Sequence, residues 1–336
     1  MQQEDITTMT EQASTSTPTS ASPTPFSTSN RIQTTLDPCV VLMKQLISKH
    51  SHLWDDKGGI YSLAQGVVYW EPPKSVYQEL SKAIGMNSES SDGDIAPEIS
   101  NDLHQYCPDE GLPSLIETLK EKLERENNLP NDDSTQVIIT SGANQAYMNC
   151  VLSLLSENDD VKESCIVFKP YYFNHVMAVQ MTRGDEALVV GPVDENGMPC
   201  VEWLRQTLVS SSSSSSSRKV KMVTITNPGN PTGVSLPKEK LQEIVDLCKE
   251  FGVWVVMDNT YEHFDHEKVN CFPIPSDDDD DEGEFGFNCF RDEHVIHIFS
   301  FSKGYAMAGF RVGYVVMNAS GEKGKDVYKQ ALKVSC

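Results

Sequence analysis

The chain has 336 residues, of which 38% are hydrophobic, and its formal net charge is -22 at pH 7. No apolar run approaches the ~20 residues of a membrane-spanning helix, and the acidic balance argues against nucleic acid or an anionic membrane as a partner. The nine cysteines contain no C-x-x-C pair, which favours reduced thiols in the cytoplasm over a disulfide framework.

The N-terminal residues 1–36 are rich in Ser, Thr and Pro and poor in large apolar side chains. Such a segment buries too little surface to offset its ordering entropy, so we expect a disordered tail. A transit peptide is the alternative, but the tail contains acidic residues and a single basic one, Arg31. We then expect an N-terminal arm and connecting segment over residues 37–100, and a large domain over residues 101–336.

Short apolar runs alternate with amphipathic helical patterns in the large domain. The helical patterns begin at Pro113 and Pro237, because proline is favoured in the first turn of a helix. Runs that are apolar on both faces are typical of parallel strands covered by helices on two sides. The pattern predicts an α/β fold with a mostly parallel, seven-stranded sheet between helices. The seven predicted strands are Val137–Thr140, Cys165–Phe168, Ala187–Val190, Val220–Thr226, Val253–Met257, Val295–Ser300 and Arg311–Met317.

Three low-complexity stretches interrupt this pattern and are interpreted as solvated loop insertions. They are Asn87–Ser100, the serine run at 210–217 and the acidic run at 277–284. The acidic run does not fit a calcium-binding EF-hand, since a loop with Gly283 at its sixth position would have Cys289 at the twelfth, where glutamate is needed.

Polar clusters follow four of the predicted strands. In open α/β sheets, ligands bind at the carboxyl ends of the strands, so these clusters are expected to meet in one crevice. They are Ser141–Asn144, Asn227–Gly233, Asp258–Tyr261 and Ser300–Lys303.

Lys303 follows a strand that is expected to be buried, where desolvation lowers the pKa of a lysine and suits it to Schiff-base chemistry. A snorkelling or phosphate-binding lysine is the alternative. Arg311 can hold a phosphate through its planar guanidinium, and Ser300 adds a hydroxyl. The Gly142–Asn144 turn offers backbone N–H groups at the start of a helix, so these elements together predict a phosphate site.

Asp258 follows an apolar strand, where an unpaired carboxylate is costly. A protonated ring nitrogen is a suitable partner for it, and a helix cap is the alternative role. Tyr261 and Asn230 are placed to hydrogen-bond a ligand ring, although tyrosine and asparagine are also common in ordinary loops and turns.

These motifs, in their order along the chain, resemble the class I/II aminotransferases of pyridoxal-5'-phosphate (PLP) fold type I. The match in residue type, order and spacing rests on Asn227–Gly233, Asp258-x-x-Tyr261 and Ser300-x-x-Lys303 followed by Arg311. The resemblance covers about residues 63–317 and implies a PLP enzyme that moves an amino group from an amino acid to a 2-oxo acid.

Two further segments resemble the same family. Tyr106-x-x-x-x-Gly111 is similar to the segment whose tyrosine reaches the cofactor phosphate of the partner subunit, which implies a homodimer. Pro170–His175 is similar to the strand end whose aromatic residue, here Tyr172, stacks on the cofactor ring. The string from Gln65 to Pro73 is similar to plant-type aromatic aminotransferases, which use Phe, Tyr, Trp or Met as donors.

The resemblance also implies a role for each matching residue. Lys303 forms the internal aldimine and moves the substrate proton, and Asp258 keeps the pyridine nitrogen protonated. Asn230 and Tyr261 bond the ring oxygen O3'. Gly66 lies near the substrate carboxylate. The residues that hold the phosphate are Gly142, Ala143, Asn144, Ser300 and Arg311, with Tyr106 from the partner.

One departure concerns the C-terminus, because the family continues beyond the phosphate-binding arginine into a small domain whose arginine clamps the substrate carboxylate. No residue after Arg311 aligns with that clamp, so we expect the small domain to be absent and the chain to be a fragment. Two alternatives to a transaminase stay open. One is a PLP-dependent lyase, such as a cyclopropane-forming synthase, and the other is a PLP-binding fragment without turnover. No metal is expected, since His263-x-x-His266 has no evident third ligand.

Overall fold

A computed structural model describes residues 28–53, 66–84, 105–156, 161–213, 217–274 and 284–335. The helices are α1 (Asn30–Thr34), α2 (Cys39–Lys49), α3 (Lys74–Ala83), α4 (Pro113–Asn127), α5 (Ala143–Leu154), α6 (Phe173–Arg183), α7 (Val201–Ser212), α8 (Lys238–Glu250) and α9 (Glu322–Ser335). The strands are β1 (Thr135–Thr140), β2 (Lys162–Phe168), β3 (Leu188–Gly191), β4 (Arg218–Thr226), β5 (Trp254–Asp258), β6 (Cys271–Pro273), β7 (Phe285–Phe287), β8 (Val295–Ser300) and β9 (Gly313–Asn318).

Seven strands form one sheet in the order β1-β9-β8-β5-β4-β2-β3, and β6 pairs with β7 in a separate two-stranded ribbon. Strands β8, β5, β4, β2 and β3 are mutually parallel, whereas β9 is antiparallel to both of its neighbours. The predicted seven-stranded, mostly parallel sheet is therefore confirmed, and each predicted strand overlaps one of its members. Six of the seven carboxyl ends lie at the same edge.

Helices cover both faces of this sheet, as the doubly apolar strands require. Neighbouring residues on a strand point to opposite faces, so Val256 of β5 packs in the core beneath α5, α6 and α9, and Val255 packs in the core beneath α7 and α8. A third cluster joins α4 to β1, β8 and β9. Helix α8 buries five side chains, and each fully buried large apolar side chain contributes about 1.5–3 kcal/mol. They are Leu241, Ile244, Val245, Leu247 and Cys248.

The N-terminal helices α1, α2 and α3 bury none of their residues. Helix α1 lies within residues 1–36, the predicted N-terminal tail, and Arg31 there donates to the Thr182 carbonyl oxygen of α6 at 2.9 Å. Residues 1–27 and 85–104 lie outside the described residues, as does most of the predicted acidic insertion.

Three boundaries differ from the sequence predictions. The serine insertion begins later than predicted, because Ser210–Ser212 continue α7 with the Ser210 hydroxyl donating to the Gln206 carbonyl. Arg311 precedes β9, with a left-handed backbone of φ 56°. Asp258 is the last residue of β5 and pairs in register with Thr226 and Ile298.

Candidate active site

The strand register brings the two halves of the site together. Gly313, the first residue of β9, pairs with Thr140 at the end of β1 and with Ser300 at the end of β8. The segments that follow β1 and β8 therefore emerge on either side of Gly313, although they are far apart in the sequence. Asp258 lies at the end of β5, next to β8 in the sheet. The predicted crevice at the carboxyl edge is thus the place where these segments meet.

Asp258 is buried, and each of its two carboxylate oxygens has a partner. One oxygen lies 3.0 Å from His175 Nε2, and the other accepts hydrogen bonds from the Thr260 N–H at 3.1 Å and the Thr260 hydroxyl at 2.6 Å. Burial alone would raise the pKa of Asp258, but the His175 hydrogen bond and charge and the Thr260 hydrogen bonds outweigh it and lower the pKa. The side chain is therefore a buried anion at neutral pH, as a partner for a protonated ring nitrogen must be.

Tyr261 and Asn230 are adjacent, with the Asn230 amide donating to the Tyr261 hydroxyl at 3.3 Å. Burial raises the pKa of Tyr261 to about 12, and the Asp258 charge adds to this effect. Tyr261 therefore keeps its proton at neutral pH and can donate a hydrogen bond to an anionic ring oxygen.

Lys303 approaches the same tyrosine. Its Nζ lies 5.9 Å from the centre of the Tyr261 ring and donates to the carbonyl oxygen of Gly66. Burial, followed by the positive charge of Arg311, lowers the pKa of Lys303. A lysine with a lowered pKa is neutral for a larger fraction of the time, and the neutral amine is the nucleophile that Schiff-base formation requires. Gly66 thus lies beside the lysine.

The Arg311 guanidinium faces the turn between β1 and α5. Its Nη2 lies 3.5 Å from the Ser141 carbonyl oxygen and its Nη1 donates to the Ala308 carbonyl at 3.0 Å. Gly142 has φ 79°, and a Cβ there would lie 2.4 Å from Arg311 Nη2. The bare backbone therefore leaves room for the guanidinium beside the helix N-terminus, an arrangement suited to a phosphate.

The other residues predicted to hold the phosphate lie at the start of α5 and at the end of β8. Ala143 and Asn144 begin α5, and the Asn144 side-chain oxygen accepts from the Tyr172 hydroxyl at 3.4 Å. Ser300 ends β8, and its hydroxyl oxygen accepts from the Ser302 N–H at 3.1 Å. Tyr172 stands edge-on to the His175 ring, with a centroid distance of 5.2 Å and an interplanar angle of 90°.

Tyr106 is the one predicted site residue that the structure leaves apart from the others. Its side chain is fully exposed. The sequence resemblance assigns it to the site of a partner subunit, so exposure in a single chain does not conflict with that prediction.

The sequence interpretation missed a supporting layer behind Asp258. His175 and Thr260 hold its carboxylate, and the His175 ring packs on the buried Tyr147 ring with centroids 4.1 Å apart. The Tyr147 hydroxyl lies 2.9 Å from the Thr224 hydroxyl. The only sequence signal for this layer was the polar Asn174-His175 pair directly after an aromatic strand end.

Two other properties of the described residues bear on the class of site. They contain no group of three or more histidine, cysteine or acidic side chains placed to hold a metal ion. Within the parts of the chain that the structure describes, no helix combines the length and apolar character required to cross a membrane.

Known proteins with similar sequences indicate the same class of site. The family model described as aminotransferase class I and II matches residues 61–335. The aromatic aminotransferase ISS1 of Arabidopsis thaliana is 39% identical over 256 residues, which cover 76% of this chain and 54% of that protein. An aspartate aminotransferase of Pyrococcus abyssi is 32% identical over 257 residues, covering 76% of this chain and 56% of its own length. This chain therefore spans about half the length of these relatives.

Solved structures share the fold. The aspartate aminotransferase from Thermus thermophilus with maleate has a TM-score of 0.67 at 24% identity, over 92% of this chain and 68% of that chain. The aromatic aminotransferase from Pyrococcus horikoshii has a TM-score of 0.60 at 24% identity, over 86% of this chain and 65% of that chain.

The α/β fold, with its polar cluster at the carboxyl edge of the sheet, is that of the fold type I PLP enzymes. Within that class, the chain belongs to the aminotransferase class I and II family. This family uses PLP, and the described residues fit the group. Asp258 is a buried anion that suits its ring nitrogen, and Lys303 has a lowered pKa that suits its carbonyl carbon. Arg311 lies beside a helix N-terminus and suits its phosphate.

Proposed function

We propose that this chain binds PLP and transfers an amino group from an amino acid to a 2-oxo acid, with Lys303 as the residue that bonds to the cofactor. The observation that carries the proposal is the convergence of Lys303, Asp258, Tyr261 and Arg311 at one edge of the sheet from separate parts of the sequence. These side chains match the chemical groups of PLP in charge and hydrogen-bonding type.

PLP, when bound, draws electrons away from the Cα of an attached amino acid and so makes its proton acidic. In the proposed assignment, Asp258 holds a proton on the ring nitrogen, which maintains that electron withdrawal. Asn230 and Tyr261 hydrogen-bond the ring oxygen, and Tyr172 stacks on the ring. Lys303 is neutral more often than an exposed lysine, and it would take the Cα proton and deliver it to the C4' carbon of the cofactor.

The phosphate is assigned to Arg311, the Ser300 hydroxyl and the start of α5 at Gly142, Ala143 and Asn144. A phosphate held by a guanidinium and by backbone N–H groups fixes the position of the ring, and positioning is a large part of catalysis in such reactions. Gly66 is assigned to the neighbourhood of the substrate carboxylate, because its carbonyl oxygen contacts Lys303.

Aromatic amino acids or methionine are the proposed donors. One support is the name of the Arabidopsis relative, an aromatic aminotransferase. The other is a row of aromatic rings next to Gly66. Trp70 stacks on Phe264 at 6.1 Å with an interplanar angle of 24°, and Phe264 meets the Tyr261 ring edge-on at 5.8 Å. Such a row offers apolar and edge-to-face contacts to an aromatic or thioether side chain.

A homodimer is the proposed assembly. The exposed Tyr106 side chain and the exposed apolar residues of α2, among them Leu42 and Leu46, support it, because contiguous exposed apolar side chains favour association. We also propose a cytoplasmic location, supported by the eight described cysteines, which all have free thiols.

The test is the absorption spectrum of the purified chain with PLP, recorded before and after addition of Phe, Tyr, Trp or Met. We expect a band of bound PLP that an amino acid donor bleaches, with release of the matching 2-oxo acid. The band is expected to be lost in Lys303→Ala and retained in Lys323→Ala, a control on the exposed surface of α9. A band that no amino acid changes would support PLP binding without transamination. No band in the unmutated chain would contradict the proposal.

A further inference from the structure

A buried ion pair lies behind the candidate site, and none of the roles assigned above uses it. Lys122 of α4 and Glu262, the residue after Tyr261, are each 8% exposed. Lys122 Nζ donates to both carboxylate oxygens of Glu262, at 2.7 and 2.8 Å. The pair thus joins a helix on one face of the sheet to the loop that supplies Tyr261.

A buried amide completes the pair. Asn127, which is fully buried, accepts from Lys122 Nζ at 2.7 Å and donates to the Glu262 carboxylate at 2.7 Å. Burial alone would raise the pKa of Glu262, but the Lys122 charge, together with His263 and the hydrogen bonds, outweighs it and lowers the pKa. A buried pair with this many satisfied groups holds its geometry tightly, whereas removal of one partner leaves an uncompensated charge.

Lys122 also contacts the second segment that supplies the site. Its Nζ lies 4.9 Å from the centre of the Phe299 ring, a cation–π contact, and Phe299 directly precedes Ser300. Glu262 and Phe299, which Lys122 contacts outside its own helix, are each the chain neighbour of a predicted cofactor residue.

The Tyr261 loop is held from its other end as well. The Asn259 N–H donates to the Ile298 carbonyl at 2.8 Å, and the Glu262 N–H donates to the Asn259 carbonyl at 2.9 Å. These bonds fix the backbone between β5 and Glu262. The Glu262 side chain is held by Lys122 and Asn127, and His263 Nε2 lies 3.5 Å from one of its carboxylate oxygens.

We propose that Lys122 is a positioning residue that acts through Glu262 to place the Tyr261 hydroxyl at the cofactor ring. This inference rests on the proposed function, since the ring oxygen is the proposed partner of Tyr261. Lys122 itself touches neither cofactor nor substrate in this assignment. Its charge sets where Glu262 lies, and Glu262 sets where Tyr261 points.

The first experiment compares Lys122→Met with Lys122→Arg and with the control Lys120→Met. Lys120 is on the same helix but donates to the Asp132 carbonyl instead. We expect Lys122→Met to raise the pH midpoint of the bound PLP absorption, because a displaced Tyr261 no longer stabilises the anionic ring oxygen. We also expect a ~10- to ~100-fold loss of kcat, as for a catalytic group displaced by about an ångström. Lys122→Arg should restore part of the pH midpoint and part of kcat, and Lys120→Met should change neither the midpoint nor kcat.

A second variant distinguishes positioning from general stability. If Lys122 acts through Tyr261, its effect on the pH midpoint should be small in a Tyr261→Phe background, where the hydroxyl is already gone. Equal shifts in the two backgrounds would overturn the proposal. So would a Lys122→Met variant that loses thermal stability but keeps the midpoint of the unmutated chain.

A third measurement needs no cofactor and separates this proposal from the proposed function. In the cofactor-free chain, amide hydrogen exchange of residues 259–264 should increase in Lys122→Met, while exchange in α8 stays unchanged. That result without any PLP band would contradict the proposed function but leave the positioning contact standing. No local increase would overturn the positioning role, whether or not PLP binds.

Discussion

The Asp258 carboxylate and the His175 ring form a buried pair, with Oδ2 and Nε2 3.0 Å apart and each residue 3% exposed. His175 is itself held on two sides, by the face of Tyr147 at 4.1 Å and by the edge of Tyr172 at 5.2 Å. The direction of the Asp258 charge is therefore set by a packed aromatic layer behind it. We infer that binding of a cationic ring nitrogen at Asp258 depends on His175 and Tyr147, neither of which is assigned a contact with the ligand.

His175→Phe tests this dependence. Phenylalanine keeps a ring against Tyr147 but removes the hydrogen bond to the Asp258 carboxylate. A hydrogen bond to a charged group contributes about 1.5–3 kcal/mol, so we expect PLP to bind roughly 10- to 100-fold more weakly. The measurement is a PLP titration followed by absorbance. His294→Phe serves as the control, because that ring contacts the Val245 carbonyl at 3.0 Å on α8. Equal affinities in the two variants would show that His175 does not support Asp258.

Gly142→Ala tests the space beside Arg311. Alanine there meets two obstacles: a left-handed backbone of φ 79°, and a Cβ position 2.4 Å from Arg311 Nη2. Gly252→Ala is a matched control, since Gly252 has φ 66° but no heavy atom within 4 Å of its Cβ position. Both variants should lose about 1–3 kcal/mol of unfolding free energy from backbone strain. Only Gly142→Ala should also weaken PLP binding, because only there does the guanidinium have to move. A similar loss of PLP affinity in Gly252→Ala would contradict the steric explanation.

Arg311→Lys tests the phosphate assignment. Lysine keeps the charge but loses the planar fork that holds a phosphate through two hydrogen bonds. We expect about tenfold weaker PLP binding, and no change in binding of pyridoxal, which lacks the phosphate. Arg291→Lys is the control, because the Arg291 guanidinium bonds Asn128 at a distance from the site. A matching loss for pyridoxal would assign Arg311 to the ring or to folding instead.

Patterns that depend only on neighbouring residues were the most predictable from the sequence. Each of the seven predicted strands lies in the sheet, since a short run that is apolar on both faces has few other stable environments. The meeting of the segments that contain Asp258 and Lys303 was predictable, because the carboxyl ends of parallel strands lie at one edge. Arg311 reaches the same edge from just before the start of the antiparallel β9. The backbone conformation of the residues around the site was less predictable. Arg311 has a left-handed φ that no strand residue adopts, and it was predicted to begin β9.

Contacts between distant segments were not predictable from the sequence. Lys122 precedes Glu262 by 140 residues, and a lysine on an amphipathic helix is ordinarily solvated. His175 was part of a quoted motif and lies in α6, but its partner Asp258 lies at the end of β5. Nothing in the local pattern of either pair indicates the other member. Such pairs depend on strand order and register, which a single sequence leaves open.

His297, at the centre of β8, predicts a specific loss of stability in acid. Its Nδ1 lies 3.0 Å from the Asn259 amide nitrogen and its Nε2 lies 3.1 Å from the Phe290 carbonyl oxygen. Burial lowers the pKa of His297 to about 4, with the backbone contact at Phe290 opposing the shift. In the unfolded chain, His297 takes up a proton at about pH 6.5, whereas in the folded chain it stays neutral down to about pH 4. The contribution of His297 to the unfolding free energy is therefore fully present above about pH 6.5 and is lost as the pH falls to about 4. The shift corresponds to a loss on the order of 3 kcal/mol over that range.

The measurement is the urea unfolding free energy of the native chain and of His297→Asn at several pH values between about 7 and about 4. Asparagine can still accept a hydrogen bond from the Asn259 amide but does not titrate. The variant should be less stable at pH ~7, because it leaves a cavity in a packed strand. Its stability should then fall less steeply with acid than that of the native chain, so that the two curves converge toward pH ~4. Curves that fall in parallel would show that His297 takes up its proton equally in the folded and unfolded states.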